Sequence, residues 1–392
     1  MSDSNNRKKI DIITYWITRS NYGTVLQNYA LQTFLRSFGF ETFLIRTDIP
    51  LGCSRSDYYK SLLQKNGFFS LICYFKSRLF CKITRRIFSE NKNDDKRNFP
   101  DFVNKNLNPT KIFRSLSELE SDCPMAAIYI AGSDQVWNTY GENYVTVSEQ
   151  IKSYLLSFAP DSARKVSCAA SFGKNSLALE FENLFKQKFS RFDFISCREK
   201  SGVEICRKLG FERAVLQQDP AMLLSSDEYK KIASKNLVPK KPYILLYLLE
   251  NDTDFSTRRL KQFAKLKNLE VVYVPANEAQ KINFHKKTFP TVEEWLGLYE
   301  NASAVVTNSF HGTVFSLIFN KPFLSVHQTG KFEDQNVRID SLLEDFGLKN
   351  RIFSGDFEKL FSSVDFEKVN KRLEEIRKCS PFVEWIKKME EK

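Results

Sequence analysis

The chain has 392 residues, 42% hydrophobic and 27% charged, more apolar material than one ordinary core takes up, so two domains are expected. Its net charge of +12 is uneven: residues 60–97 hold ten Lys or Arg against three acids, the rest is only mildly basic, and no nucleic-acid partner is expected. No run of about eighteen uncharged apolar residues exists, so no membrane span is expected.

The opening MSDSNNRKK is polar and lacks the apolar core of a signal peptide. The eight Cys, at 53, 73, 81, 123, 168, 197, 206 and 379, form no CxxC pair, so reduced thiols and a cytoplasmic location are expected. Residues 10–17 form a strand candidate. After the turn Thr18-Arg-Ser-Asn-Tyr-Gly23, residues Val25, Leu26, Tyr29, Ala30, Thr33, Phe34 and Phe38 recur at helical spacing, and Gly39 is placed to stop that helix. A short strand at 43–45 completes a βαβ pattern, which implies a parallel sheet with helices on its faces. An insertion at about 55–120 interrupts it. There Phe68, Ile72, Phe75, Leu79, Ile83 and Ile87, with Lys76, Arg78, Lys82, Arg85 and Arg86 between them, predict a basic amphipathic helix over 68–88.

Strands are next expected at 126–131, 165–170, 192–197 and 214–217. The third runs through Arg198 into a helix ending near 209. The polar stretch 225–241 marks a domain boundary. Beyond it the pattern predicts strand 243–249, helix 255–267, strand 270–274, helix 291–300, strand 304–307, helix 312–319, strand 323–326 and a C-terminal helix over 363–390. The expected class is α/β. One Rossmann-like, doubly wound domain covers 1–222, a second covers 240–360, and a helical segment covers 361–392. The two domains are expected to face a cleft, with ligands beyond the carboxyl ends of the strands.

Three strand ends carry unusual residue clusters. In Thr307-Asn-Ser-Phe-His-Gly-Thr313 an apolar strand stops and a helix begins. His311 and the N–H groups of Gly312 and Thr313 would lie at a helix N-terminus, which favours an anion. Gly312 would let a ligand approach the backbone closely. A His that merely caps the helix fits the same pattern. Gly132-Ser-Asp-Gln-Val-Trp-Asn138 offers Ser133, Asp134 and Gln135 to sugar hydroxyls and Trp137 to a sugar face, or else forms a turn over a packed Trp. In Ser196-Cys-Arg-Glu-Lys-Ser-Gly202, Arg198 opens a helix and can clamp a carboxylate or phosphate bidentately, or pair with a surface acid. Asn21 and Gln27, on either side of Gly23, are placed to reach the cleft, or belong to a plain βα turn.

There is no GxGxxG after a strand, no GxxxxGK[ST] and no GxSxG, and the three His (285, 311, 327) lack zinc spacing. No bound cofactor and no metal are therefore expected.

The motifs NYGTVLQNYALQ, GSDQVWN, SCREKSG, QDPAMLL and NSFHGTVFSLIFNKPFLSV occur in that order over roughly residues 10–350. Together they resemble the polysaccharide pyruvyl transferase family, with no resemblance over 50–120. The resemblance implies a GT-B-like fold, phosphoenolpyruvate as donor and co-substrate, and a sugar diol as acceptor. The acceptor would belong to a capsule or exopolysaccharide unit built on a lipid carrier. The family's His maps onto His311, and its Arg onto Arg198. Ser309 and Phe310 precede that His. Family members carry an Arg where this chain has Ser309, and Arg338, in Asn336-Val-Arg-Ile339, is the candidate replacement. Ketal formation needs an anion clamp, a general acid and a general base. Arg198 with the helix at Gly312, then His311, then Asp134 are the residues expected in those roles. The basic helix suggests docking at the inner, anionic face of the membrane, or else packs on the core with solvated cations. A GT-B glycosyltransferase using a nucleotide sugar and a non-catalytic binding protein are the alternative readings.

Overall fold

The computed structural model describes residues 9–16, 18, 21–49, 95–139, 144–249, 256–276 and 287–390. The basic helix expected over 68–88, and the membrane docking inferred from it, lie outside these residues.

The N-terminal half alternates β1 (Lys9–Ile13), α1 (Tyr22–Ser37), β2 (Glu41–Thr47), α2 (Phe99–Asn106), β3 (Pro109–Phe113), α3 (Leu116–Ser121), β4 (Ile128–Ala131), α4 (Tyr144–Tyr154), β5 (Arg164–Ser167), α5 (Leu179–Phe189), β6 (Ser196–Cys197), α6 (Lys200–Lys208) and β7 (Val215–Leu216). Five strands make a parallel sheet in the order β3-β2-β1-β4-β5. Bridges from Val166 to Phe194 and from Ala170 to Cys197 continue it to the β6–β7 pair. In β1, Ile12 lies opposite Leu44 on one side and Ile130 on the other. Successive side chains point to opposite faces of a strand. Accordingly Ile10, Ile12, Leu44, Ile128 and Ile130 pack with α1 and the second half, while Ile13, Ile45, Tyr129 and Ala131 pack in a separate core with Phe181, Phe185 and Phe189 of α5.

After α7 (Ser226–Lys230), opened by a capping box between Ser225 and Glu228, the second half begins. It runs β8 (Tyr243–Leu248), α8 (Thr257–Leu266), β9 (Glu270–Pro275), α9 (Val292–Asn301), β10 (Ala304–Thr307), α10 (Phe310–Ile318), β11 (Phe323–Ser325) and α11 (Val337–Asp345). Its parallel sheet has the order β11-β10-β8-β9. All six residues of β8, YILLYL, are buried, as a central parallel strand covered on both faces requires. In both sheets the strand order reverses beside the first strand, between β1 and β4 and between β8 and β10, which is where a doubly wound sheet binds its ligand. The fold is thus α/β with two Rossmann-like sheets.

Several expected limits change. The strand expected over 10–17 ends at Ile13. The single helix expected over 363–390 is two, α12 (Phe366–Cys379) and α13 (Pro381–Glu390), because Pro381 has no N–H to continue the first and holds Ser380 extended.

The halves are bound together through α1. Tyr22 stacks on Trp295 of α9 at 5.1 Å and donates a 2.7 Å hydrogen bond to the Pro290 carbonyl. Arg97 donates to the carbonyls of Pro275 and Ala276 at the end of β9 (2.6 and 2.7 Å). At the far end the chain returns to the first half, where Phe382 donates its N–H to the Gln217 side chain and Trp385 packs on Phe194. No helix among the described residues is long and apolar enough to cross a membrane.

Candidate active site

β10 stops at Thr307, and Ser309 caps α10. The Ser309 hydroxyl accepts from Gly312 N–H (3.2 Å), and its carbonyl accepts from Thr313 N–H (3.0 Å). The two N–H groups expected to hold an anion are therefore spent on Ser309, which corrects that expectation. Gly312 serves packing rather than ligand approach, since a Cβ there would lie 2.2 Å from Thr307 Oγ1. The helix start nonetheless directs His311 toward the first half, where its Nε2 lies 3.3 Å from Asp219 Oδ2.

Asp219 follows β7 and opens a short 3-10 turn. Its Oδ1 accepts from Ala221 N–H (3.0 Å). Besides meeting His311, its Oδ2 accepts from Arg198 Nη1 (3.0 Å) and Ser133 Oγ (2.9 Å). Arg198 Nη2 lies 3.7 Å from Asp134 Oδ1, and Asp134 Oδ2 accepts from Thr24 Oγ1 (3.0 Å). Asp134 adopts a φ of 81°, in the left-handed region that Asp tolerates better than most side chains. Residues from three strand ends, after β4, β6 and β10, thus converge on the fully buried carboxylate that follows β7.

The charges account for its state. Burial alone would raise the Asp219 carboxyl, but the neighbouring His311 and then Arg198 outweigh it, and the group is held well below the ordinary carboxylate range. Burial likewise opposes the Arg198 charge, and Asp219, Asp134 and Glu199 overcome it, so the guanidinium is held above its usual value. Nε and Nη2 of Arg198 are buried without a hydrogen-bond partner. Those two atoms form the edge through which a guanidinium grips a carboxylate bidentately.

The family model for polysaccharide pyruvyl transferase matches residues 21–328. The chain belongs to the polysaccharide pyruvyl transferase family. No curated protein matches it. Among solved structures, it is similar to UDP-GlcNAc 2-epimerase from Methanocaldococcus jannaschii at 14% identity, over 94% of this chain and 92% of that one, with a TM-score of 0.49. It is also similar to the glycosyltransferase SnogD from Streptomyces nogalater at 12% identity, over 97% and 98% of the two chains, with a TM-score of 0.40. The fold assignment rests on the two sheets themselves.

In this member of the pyruvyl transferase family, Ser309 occupies the N-cap of α10. Arg338, proposed from the sequence as the replacement cation, has its guanidinium 5.9 Å from the centroid of the Phe310 ring, and that of Arg198 lies 4.6 Å from the same ring. Arg338 Nη2 donates to Gln335 Oε1 (2.8 Å), which also accepts from Gln135 Nε2 (3.4 Å) across the two halves. Gln27 donates to Thr14 Oγ1 (3.3 Å), and its Oε1 is buried without a partner. Asn21 caps α1, its side-chain oxygen accepting from Gly23 N–H (3.1 Å). Gly23 lies against His311: a Cβ there would be 2.0 Å from the imidazole Cγ. Trp137 is not a sugar platform but the packed Trp of the alternative reading. It is fully buried, 4.8 Å from Phe189 and 5.4 Å from Phe172, and no sugar can stack on it. Asp219 was missed, although an Asp-Pro directly after a strand was visible in the sequence.

Proposed function

We propose that the protein transfers the pyruvyl group of phosphoenolpyruvate to two hydroxyls of a sugar, giving a cyclic ketal and free phosphate. The methylene carbon gains a proton, one hydroxyl oxygen attacks the neighbouring carbon, and a second hydroxyl displaces phosphate and closes the ring. One hydroxyl proton replaces the one delivered to carbon, and the other leaves with phosphate.

The observation that carries this reading is the Nε–Nη2 edge of Arg198, which makes no hydrogen bond although Asp134 Oδ1 lies 3.7 Å from Nη2, on a guanidinium that shares the Asp219 carboxylate with the His311 imidazole. That edge suits the donor's carboxylate. His311 delivers the proton, and Asp134 takes one from the acceptor hydroxyl. Arg338, near the same Phe310 ring, meets the phosphate. The acceptor is a sugar of a capsule or exopolysaccharide repeat unit, carried on a lipid at the inner face of the membrane.

The test is incubation with phosphoenolpyruvate and candidate lipid-linked sugars, following phosphate release and a mass gain of one pyruvate less water on the sugar. His311→Ala should lower turnover roughly a hundredfold or more with folding retained. Near-normal ketal formation by that variant removes His311 from the role. Sugar transfer from a nucleotide sugar, indifferent to phosphoenolpyruvate, overturns the reading in favour of a glycosyltransferase.

A further inference from the structure

We infer that Asp219 is a positioning residue that holds His311 through Nε2 and thereby makes Nδ1 the nitrogen that exchanges a proton with substrate. This deepens the proposed role of His311 and rests on it.

Asp219 is anchored independently of His311, by Ala221 N–H on one oxygen and by Ser133 and Arg198 on the other. Its position is therefore set by three donors before the imidazole arrives. An ionised carboxylate beside one ring nitrogen favours the tautomer carrying its hydrogen on that nitrogen. At 3.3 Å the Nε2 contact is an ion pair whose angles fall outside a directed hydrogen bond. Catalytic contacts of this kind tighten when substrate binds.

The opposite edge of the ring is arranged differently. Its Cγ–Nδ1 side lies against the first turn of α1, where an added Cβ on Gly23 would be 2.0 Å from Cγ and 2.1 Å from Nδ1. Asp219 and Gly23 thus grip the ring from two sides and fix its rotation. Nδ1 hydrogen-bonds to none of the described residues.

Neutral His311 then carries its hydrogen on Nε2 and a lone pair on Nδ1. In the transfer step the Nδ1–H bond of the imidazolium breaks, and the enol π pair forms the new C–H bond. The acceptor oxygen supplies the pair for the adjacent C–O bond and releases its proton to Asp134. His311 is left neutral with Nε2–H still facing Asp219.

The test uses the full chain labelled with nitrogen-15 at histidine. The three His make the spectrum assignable with His285→Gln and His327→Gln. Above the imidazole titration, wild-type His311 should show the Nε2–H tautomer. Asp219→Asn, whose amide can present a donor to Nε2, should shift it toward Nδ1–H and lower kcat about 10²- to 10⁴-fold, with Asp219→Glu recovering part of both. An Nδ1–H tautomer in the wild type, or an unaltered tautomer in Asp219→Asn, overturns the inference. Should Asp219→Asn fail to fold, the wild-type tautomer alone decides. An Nε2–H tautomer in a protein that makes no ketal would fault the proposed reaction instead.

Discussion

Gly23→Ala isolates the contact between α1 and the imidazole. Gly23 lies in the first turn of α1, where alanine suits the backbone and would by itself favour the helix by about 1 kcal/mol. The added methyl would lie 2.0 Å from His311 Cγ, 2.1 Å from Nδ1 and 2.4 Å from Cβ, whereas ordinary contact begins at 3.4 Å. Ring and helix must therefore separate by roughly 1.4 Å, the difference between 3.4 and 2.0. Overpacking of this kind costs about 1–3 kcal/mol, so the net loss of stability should stay within about 2 kcal/mol. A displacement of about 1 Å at a proton carrier costs on the order of a hundredfold in rate. Gly23→Ala should therefore retain its fold and lose most of its turnover in the phosphate-release assay. In a His311→Ala background the clash is gone, and the same change should be neutral or stabilising by about 1 kcal/mol in thermal unfolding. Wild-type turnover in Gly23→Ala, or an equal loss of stability in both backgrounds, would refute the packing of Gly23 on His311.

Trp137→Ala should cost about 3–5 kcal/mol of stability, measured by denaturant unfolding, and leave the KM for sugar unchanged in the folded fraction. Arg198→Lys keeps the charge but loses the planar donor edge, and should raise the KM for phosphoenolpyruvate about 10- to 100-fold. Asp11, buried in the middle of β1, is pushed up to about 7, chiefly by burial. Its folded form keeps a proton that the unfolded chain releases near pH 4, so this group weakens the fold as pH rises from about 4 to about 7. Asp11→Asn should raise the melting midpoint at pH 8 and leave it nearly unaltered at pH 4.

The sheets were legible because their strands are short apolar runs set between helical periods, and 304–307, flanked by a small residue and a polar turn, was expected at its observed limits. Strand ends were harder to place. Residues 192–197 looked like one strand, but only Ser196 and Cys197 pair regularly, with Phe194 reached by a single bridge. At the site, His311, Arg198, Ser133 and Asp134 stood out as polar groups following apolar strands. Asp219 follows one too, yet β7 is only two residues long and gives its end little prominence in the sequence. Trp137 was misread because its neighbours are distant in sequence. The loop folds back through Trp137 N–H to the Ser171 carbonyl, and the Phe side chains of α5 receive the indole. Nothing local separates such a Trp from one facing solvent, although 35 Phe residues gave warning of large aromatic cores.

The seat of Tyr22 and Gly23 on the partner sheet's side makes the two halves mutually dependent. With α1 removed, the flat face of Trp295 would be bare and the ring of His311 free to rotate, so a C-terminal fragment expressed alone would lack one wall of the candidate site. Substitutions in α9 or α10 are in this sense also substitutions in the surroundings of α1. Helix α1 and the histidine of the other half therefore behave as a single unit.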